Sequence, residues 1–381
     1  MTSYISDEQL KGSRNRFDLL RLFAAYLVIV THSGVLFKNL PGDFYLSLTG
    51  GTTGGQLAVS IFFIISGFLI YGSAVNSKSL GLFLFSRATR LYPAAFCCAV
   101  ITAFGIGLYF TRLNAWDYLS QWSPYRFVET NTFLFGVQYM LPGVFIDNVG
   151  SSAVNGSLWT IPLEIKMYLF CAGGVFVLRR PALFIAAAIA LYAIAVAKNP
   201  HFHVGADGGD FRKYSFAYYF FAGSALYVLR HRIPISGLVF VPFAVAYAVS
   251  FNTPAFDFIE KLFLPYAVLY LAFSFPDFQL GRFAPPDISY GVYIYGFPLQ
   301  QSVSTLLGRT HSLLFCFVVA TLAITLFAVL SWYLIEGRAL AGKRAAYARL
   351  VVFATRISAP AKKSWSDLRQ NMRRRSLKNE R

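Results

Sequence analysis

A chain of 381 residues with 56% apolar and only 13% charged side chains is not a soluble globular domain, which would carry roughly twice that charged fraction. A net charge of +17 is of the sign that nucleic acid attracts, but thirteen of the 34 basic residues follow Glu336, beside only Asp367 and Glu380. A basic tail of that kind suits anionic lipid headgroups and argues against nucleic acid.

Ten apolar stretches lie at about 17–37, 55–74, 91–110, 157–178, 181–197, 214–229, 233–251, 262–275, 288–307 and 313–335. The hydrocarbon core of a bilayer asks for about 17–25 such residues per helix. The predicted fold is therefore an all-α polytopic membrane protein of about ten transmembrane helices. It comprises a segment 1–16, a transmembrane domain 17–336 and a basic tail 337–381. The first 16 residues are polar and the first apolar run is long enough to span, so no cleavable signal peptide is expected. With both termini cytoplasmic, the inside segments hold 25 Lys and Arg residues against eight outside. That matches the positive-inside rule. The expected location is a bacterial cytoplasmic (inner) membrane.

In the first span, Arg21 and His32 are eleven residues apart. Eleven steps of about 100° return to within about 20° of the start, so both share one helix face, roughly 16 Å apart. Arg21 falls near the cytoplasmic end and His32 in the outer half. Each also has a plain reading, a snorkelling cation and a core imidazole. The second span carries IFFIISGFLI, where Ser66 and Gly67 suit close helix packing. Arg87 and Arg90, in FSRATRLYP, are at i, i+3 spacing where the third span meets the cytoplasm. Paired guanidinium forks suit phosphate, and a positive-inside loop would look the same.

Residues 111–156 form a long, aromatic-rich outside connection. Its end, Asn155-Gly156-Ser157, fits a glycosylation sequon but adjoins a span. In the fourth span, NGSLWTIPLEIKMYL carries Trp159, Glu164 and Lys166. An embedded carboxylate is rarely idle. Glu164 comes out about seven residues, roughly 10 Å, below the outer surface, at a depth similar to His32. A His–carboxylate pair orients an imidazole and supports its cation. Lys166, two positions on, points away from Glu164. The 198–213 connection holds His201, His203, Asp207 and Asp210, a weak metal signal, and no metal is assigned. A late span contains DISYGVYIYGFPL, with Tyr290 and Pro298 as packing and bending devices. Cys97, Cys98, Cys171 and Cys316 sit in apolar runs without metal-ligand spacing and imply no disulfide framework.

Taken together, these stretches resemble the membrane-bound acyltransferase 3 family, which acetylates sugars of O-antigen, exopolysaccharide, peptidoglycan and nodulation factors. The family shows a basic residue followed, ten residues between, by a His in the first span, as in Arg21 and His32. It shows a Phe-rich Ser-Gly-Phe stretch, here residues 62–70, and an Arg-x-x-Arg, here Arg87 and Arg90. It also shows Asn-x-Ser-Leu-Trp-x-x-x-x-Glu, here ending at Glu164, and Ser-Tyr-Gly-x-Tyr-x-x-x-x-Pro, here Ser289 to Pro298. The similarity runs in order over residues 16–336. Gly296 stands where the late motif often has a His, and Glu336-Gly337-Arg338 where Glu-x-Pro is common.

The resemblance implies O-acyl transfer from acetyl-CoA, as donor substrate rather than resident cofactor, to a carbohydrate or glycolipid hydroxyl outside. Arg87 and Arg90 would hold CoA phosphates, with Arg21 lining the way in. His32 would act as general base or acyl carrier, and Glu164 would orient it. A glycolipid transporter or flippase is the main rival reading, and a sensor or scaffold using the basic tail the second.

Overall fold

The computed structural model describes residues 4–10, 16–38, 43–198, 209–274 and 286–352. Among the described residues the chain is helical, in the order α1 (Phe17–Lys38), α2 (Phe44–Thr49), α3 (Gly54–Val75), α4 (Leu80–Val100), α5 (Gly107–Phe110), α6 (Ala115–Leu119), α7 (Ser123–Phe133), α8 (Ile161–Ala172), α9 (Ala182–Lys198), α10 (Gly209–Val228), α11 (Gly237–Val249), α12 (Phe256–Phe273), α13 (Ser289–Leu307) and α14 (Leu313–Ser331). A helix stands at each of the ten predicted positions. Five stretches are long and apolar enough to cross a membrane: Phe17–Phe37, Gly54–Val75, Leu80–Phe110, Ser157–Leu178 and Leu313–Val352. Ala182–Val196 and Gly237–Val249 are shorter apolar helices.

The outside of this bundle is apolar. α11 has no buried residue at all, and its Leu238, Val241, Val245 and Val249 are exposed. α14 likewise turns Leu314, Leu322 and Leu326 outward. Surfaces of that size and character suit lipid rather than water.

α3 is the central post. A capping box starts it: Thr53 Oγ1 accepts from Gln56 N at 3.1 Å and the Gln56 side chain accepts from Thr53 N at 3.0 Å. The helix then packs against α1 on one side and α10 on the other. Gly67 and Gly223 make the α10 contact possible. A Cβ on Gly67 would lie 1.9 Å from the Phe220 carbonyl oxygen, and one on Gly223 2.1 Å from that of Ile64. Gly67 is thus a packing residue, as small residues in such helices are. α13 closes the core between α1 and α14.

Three boundaries differ from the sequence expectation. The third span begins at Leu80 rather than near 91, with Ser79 Oγ capping Leu82 N at 3.2 Å. The arginines interrupt the apolar run but not the helix, so Arg87 and Arg90 lie inside α4 and not in a loop before it. The eighth starts at Phe256 rather than 262, which draws Glu260 and Lys261 into the helix at 3% and 2% exposure. The last helix continues past a wide π turn at Trp332–Glu336 and stays helical to residue 352. The 111–156 connection is also not an open loop. It contains α6 and α7 and a small core of its own, in which Tyr118, Phe127, Val144 and Val154 are buried.

Candidate active site

A cavity of about 100 Å³ opens among α1, α3, α4, α8 and α13. Val59, Phe62, Phe63, Ile70, Leu91 and Ile161 give it apolar walls. Its polar lining comprises Arg21, Arg87, Arg90, Ser66, Glu164, Tyr168, Thr160, Ser289, Tyr290 and Tyr293. The structure therefore gathers six of the residues singled out above, from five helices, around one space.

The cations sit at one end. Arg21 pairs with Asp18 at 3.3 Å and with Asp287 at 3.2 Å. Arg90 also pairs with Asp287, so this carboxylate is shared between α1 and α4. Asp287 is fixed in turn by the backbone N–H of Ser289 at 3.3 Å and by its hydroxyl. On its other side Arg90 reaches Glu336 at 3.5 Å and stands 5.8 Å over the Trp332 ring. Arg87 differs. Among the described residues no carboxylate lies within ion-pair distance of it, and its buried Nε has no hydrogen-bond partner. It is the guanidinium with donors to spare.

Glu164 stands further in. Its Oε1 accepts from Ser66 Oγ at 2.9 Å and from the Tyr168 hydroxyl. Among the described residues Oε2 takes no such bond and is not sealed from the cavity. Lys166 is exposed on the far face of the helix, as its two-residue offset requires. Ser66, expected as a packing device, instead faces the carboxylate. Tyr290 donates to the Leu91 carbonyl at 3.1 Å, and Tyr293 to that of Ser157 at 2.7 Å, bracing α13 against α4 and the turn before α8. Trp159 is outside the cavity, under the Arg212 guanidinium at 5.2 Å.

His32 is placed above this space. Its ring meets Phe297 edge-on at 5.2 Å, and the neighbouring Thr31 touches Gly55. Phe297 is one helical turn beyond Tyr293 on α13, and Gly55 one turn before Val59 on α3. Both reference residues line the cavity, and His32 itself stands outside its lining. The expected His32–Glu164 contact is not formed. Glu164 is engaged by Ser66 and Tyr168, and His32 Nδ1 is buried without a hydrogen-bond partner. The two side chains face different neighbours, Phe297 for His32 and Ser66 with Tyr168 for Glu164, and equal depth does not fix the direction a side chain points. Asn155 and Ser157, just before α8, are interior at 1% and 3% exposure. The same burial removes Asn155 from glycosylation, since its amide donates to the Ile294 carbonyl at 2.9 Å.

Asp287, Tyr168 and Tyr293 were not singled out from the sequence, and Glu336 was noted only as a motif position closing the last span. An acid on a late helix or just before one gives no sign of which arginine it will meet. Tyr168 had a signal, since i, i+4 spacing from Glu164 places it on the same face. His201, His203 and Asp207 lie outside the described residues. Among the described residues, no group of three or more His, Cys, Asp or Glu is placed to hold a metal ion.

Comparison with known proteins agrees in one direction. A family model described as an acyltransferase domain matches residues 14–336. The chain is 29% identical over 333 residues to an O-acetyl transferase of Shigella phage Sf6, covering 85% of this chain and 95% of that protein. It is also 29% identical over 358 residues to Nodulation protein 10 of Rhizobium leguminosarum bv. viciae, covering 87% of this chain and 94% of that one. No solved structure matches.

Proposed function

This chain belongs to the acyltransferase family that spans it, and on that premise we propose that it moves an acetyl group from acetyl-CoA to a glycan hydroxyl on the other side of the membrane. The observation that carries the proposal is the cavity itself. Three arginines gather at one end, the shaft beyond them is apolar, and an embedded carboxylate stands along it.

CoA has complementary parts. Its phosphates are anionic and its pantetheine arm is long and thin. Arg87, which has no carboxylate partner among the described residues, takes a phosphate. Arg21 and Arg90 are already tied to Asp287, so they shape the mouth and add positive potential. The arm runs along Phe62, Phe63 and Leu91, and Glu164 Oε2 accepts from one of its amide N–H groups. The thioester then points toward His32, one turn further on.

His32 takes the proton of the incoming hydroxyl as general base. The hydroxyl oxygen bonds to the thioester carbonyl carbon, the C–S bond breaks, and the proton passes from His32 to the leaving thiolate. The products are an O-acetyl ester and free CoA. The Lys/Arg distribution along the chain supports an arginine end in the cytoplasm and a His32 end outside. The phage relative's printed name, O-acetyl transferase, supports the acetyl group.

The test uses purified protein in nanodiscs. CoA should stabilise the parent thermally, and His32→Ala should retain that stabilisation while losing acetyl transfer by about 10²–10⁴-fold or more. A parent that gains no stability from CoA would point to a transporter instead.

A further inference from the structure

We propose that Asp43 is the carboxylate that positions His32 and balances the charge its imidazole acquires during transfer. This rests on the reading of His32 as the base, and it fills the role that Glu164, turned toward Ser66 and Tyr168, does not fill.

Asp43 opens α2, in the connection that carries the chain from the end of α1 to the start of α3. Its two oxygens have different fates. Oδ1 accepts three backbone N–H groups, from Tyr45 at 2.9 Å, Leu46 at 3.1 Å and Gly54 at 2.7 Å. Those bonds cap α2 and staple the connection to α3. Oδ2 is buried and has no hydrogen-bond partner. A carboxylate oxygen sealed from water without a donor is costly unless a cation or donor appears beside it.

The candidates for that donor are close by. Thr31 Oγ1 and His32 Nδ1 are buried and equally without partners. The point where a Cβ would project from Gly54 lies 2.9 Å from Thr31 Oγ1 and 3.3 Å from Asp43 Oδ2, so both oxygens crowd over one glycine. Only a residue without a side chain leaves them that room. Asp43 is also the charged group that acts electrostatically on His32. A hydroxyl and a carboxylate oxygen thus meet where α1 joins the start of α3, and the unpartnered imidazole of the next residue, His32, lies within electrostatic reach of the carboxylate. Isolated, each is a buried polar group in deficit. In the relay proposed here, His32 Nδ1–H turns to the Asp43 carboxylate, a bond the resting structure does not contain, while Nε2 is left to the substrate. During transfer, the proton taken from the hydroxyl makes His32 an imidazolium, and Asp43 stabilises it without itself being protonated.

Asp43→Asn separates this role from the cap. The amide keeps an oxygen for the three backbone donors but replaces Oδ2 with an N–H₂ group. We expect kcat for acetyl transfer to fall by about 10²-fold or more, with CoA affinity, expression and thermal stability unchanged. The imidazole ¹⁵N signals of His32, identified by their loss in His32→Gln, should move in Asp43→Asn protein. Parent-like kcat, or His32 signals that stay in place, would overturn the proposal, and an equal fall in CoA affinity and stability would reduce Asp43 to its cap. His32→Ala protein that still transfers acetyl would sink the reading of His32 as base. The ¹⁵N measurement would even then report whether Asp43 is its partner.

Discussion

Ser66 donates to Glu164 Oε1 at 2.9 Å, joining α3 to α8 across the cavity. A hydroxyl in a stretch that reads as helix packing is therefore part of the polar lining. Ser66→Ala should leave the helix contact intact, since Gly67 makes that, and remove one of two donors to a charged acceptor. Such a bond contributes about 1.5–3 kcal/mol. Acetyl transfer measured in nanodiscs should fall by about 10–100-fold with normal protein yield. Undiminished transfer would mean that the Tyr168 hydroxyl alone holds Glu164 in place.

Arg87 and Arg90 should separate cleanly. Arg87→Ala removes a guanidinium with no acid partner among the described residues, so CoA affinity should drop by about 10–100-fold at constant stability. Arg90→Ala strands the buried Glu336 and leaves Asp287 with Arg21 alone, and removing one partner of a buried pair costs about 3–5 kcal/mol. That variant should show a lower midpoint of thermal unfolding without any ligand present. Calorimetric titration with CoA and ligand-free melting curves check both. Equal behaviour of the two variants would refute the division of labour.

Gly67→Ala should prevent normal assembly. Its Cβ would meet a backbone oxygen at 1.9 Å, which no rotamer change relieves. Gly173→Ala is the control, because nothing lies within 4 Å of that position. Membrane-inserted, detergent-stable protein should be lost in the first and retained in the second. Full recovery of the Gly67 variant would show that α3 and α10 are less closely packed in the bilayer.

Reporter fusions test the orientation. Those placed within 111–150 should report the outside, and those after Arg381 the cytoplasm. A cytoplasmic signal from 111–150 would invert the proposed route of the acyl group.

Much of this arrangement is legible in sequence because it is one-dimensional. Arg21 and His32 share a face through helix periodicity alone, and the arginine pair reads from its i, i+3 spacing. The apolar runs place α1, α3, the Ser157–Leu178 stretch and the start of the last helix to within a few residues. What escapes is rotation between helices and the true surface level. Similar calculated depths suggested that His32 and Glu164 meet, yet depth says nothing about azimuth, and Glu164 turns to Ser66 and Tyr168 instead. Asp43 escaped because its value lies in one unpartnered oxygen, and side-chain chemistry alone reads it as a helix cap.

The wide turn at Trp332–Glu336 sets the rotational phase of the last helix. The inward residues of α14 run Cys316, Ala320, Ile324, Ala328 and Ser331, an ordinary α stripe. Five further residues in a plain α-helix would swing position 336 about 140° away from Ser331, out toward lipid. The π turn absorbs one residue, so Ser331 instead donates to Glu336 at 3.0 Å and the acid stays aimed at Arg90. Removing one residue between 332 and 335 would close the helix to regular pitch with the acid still facing in. Inserting one would rotate it outward and leave Arg90 with Asp287 alone. The ion pair beside the cavity is thus sensitive to the number of residues preceding the acid, even where every side chain that touches Arg90 is unchanged.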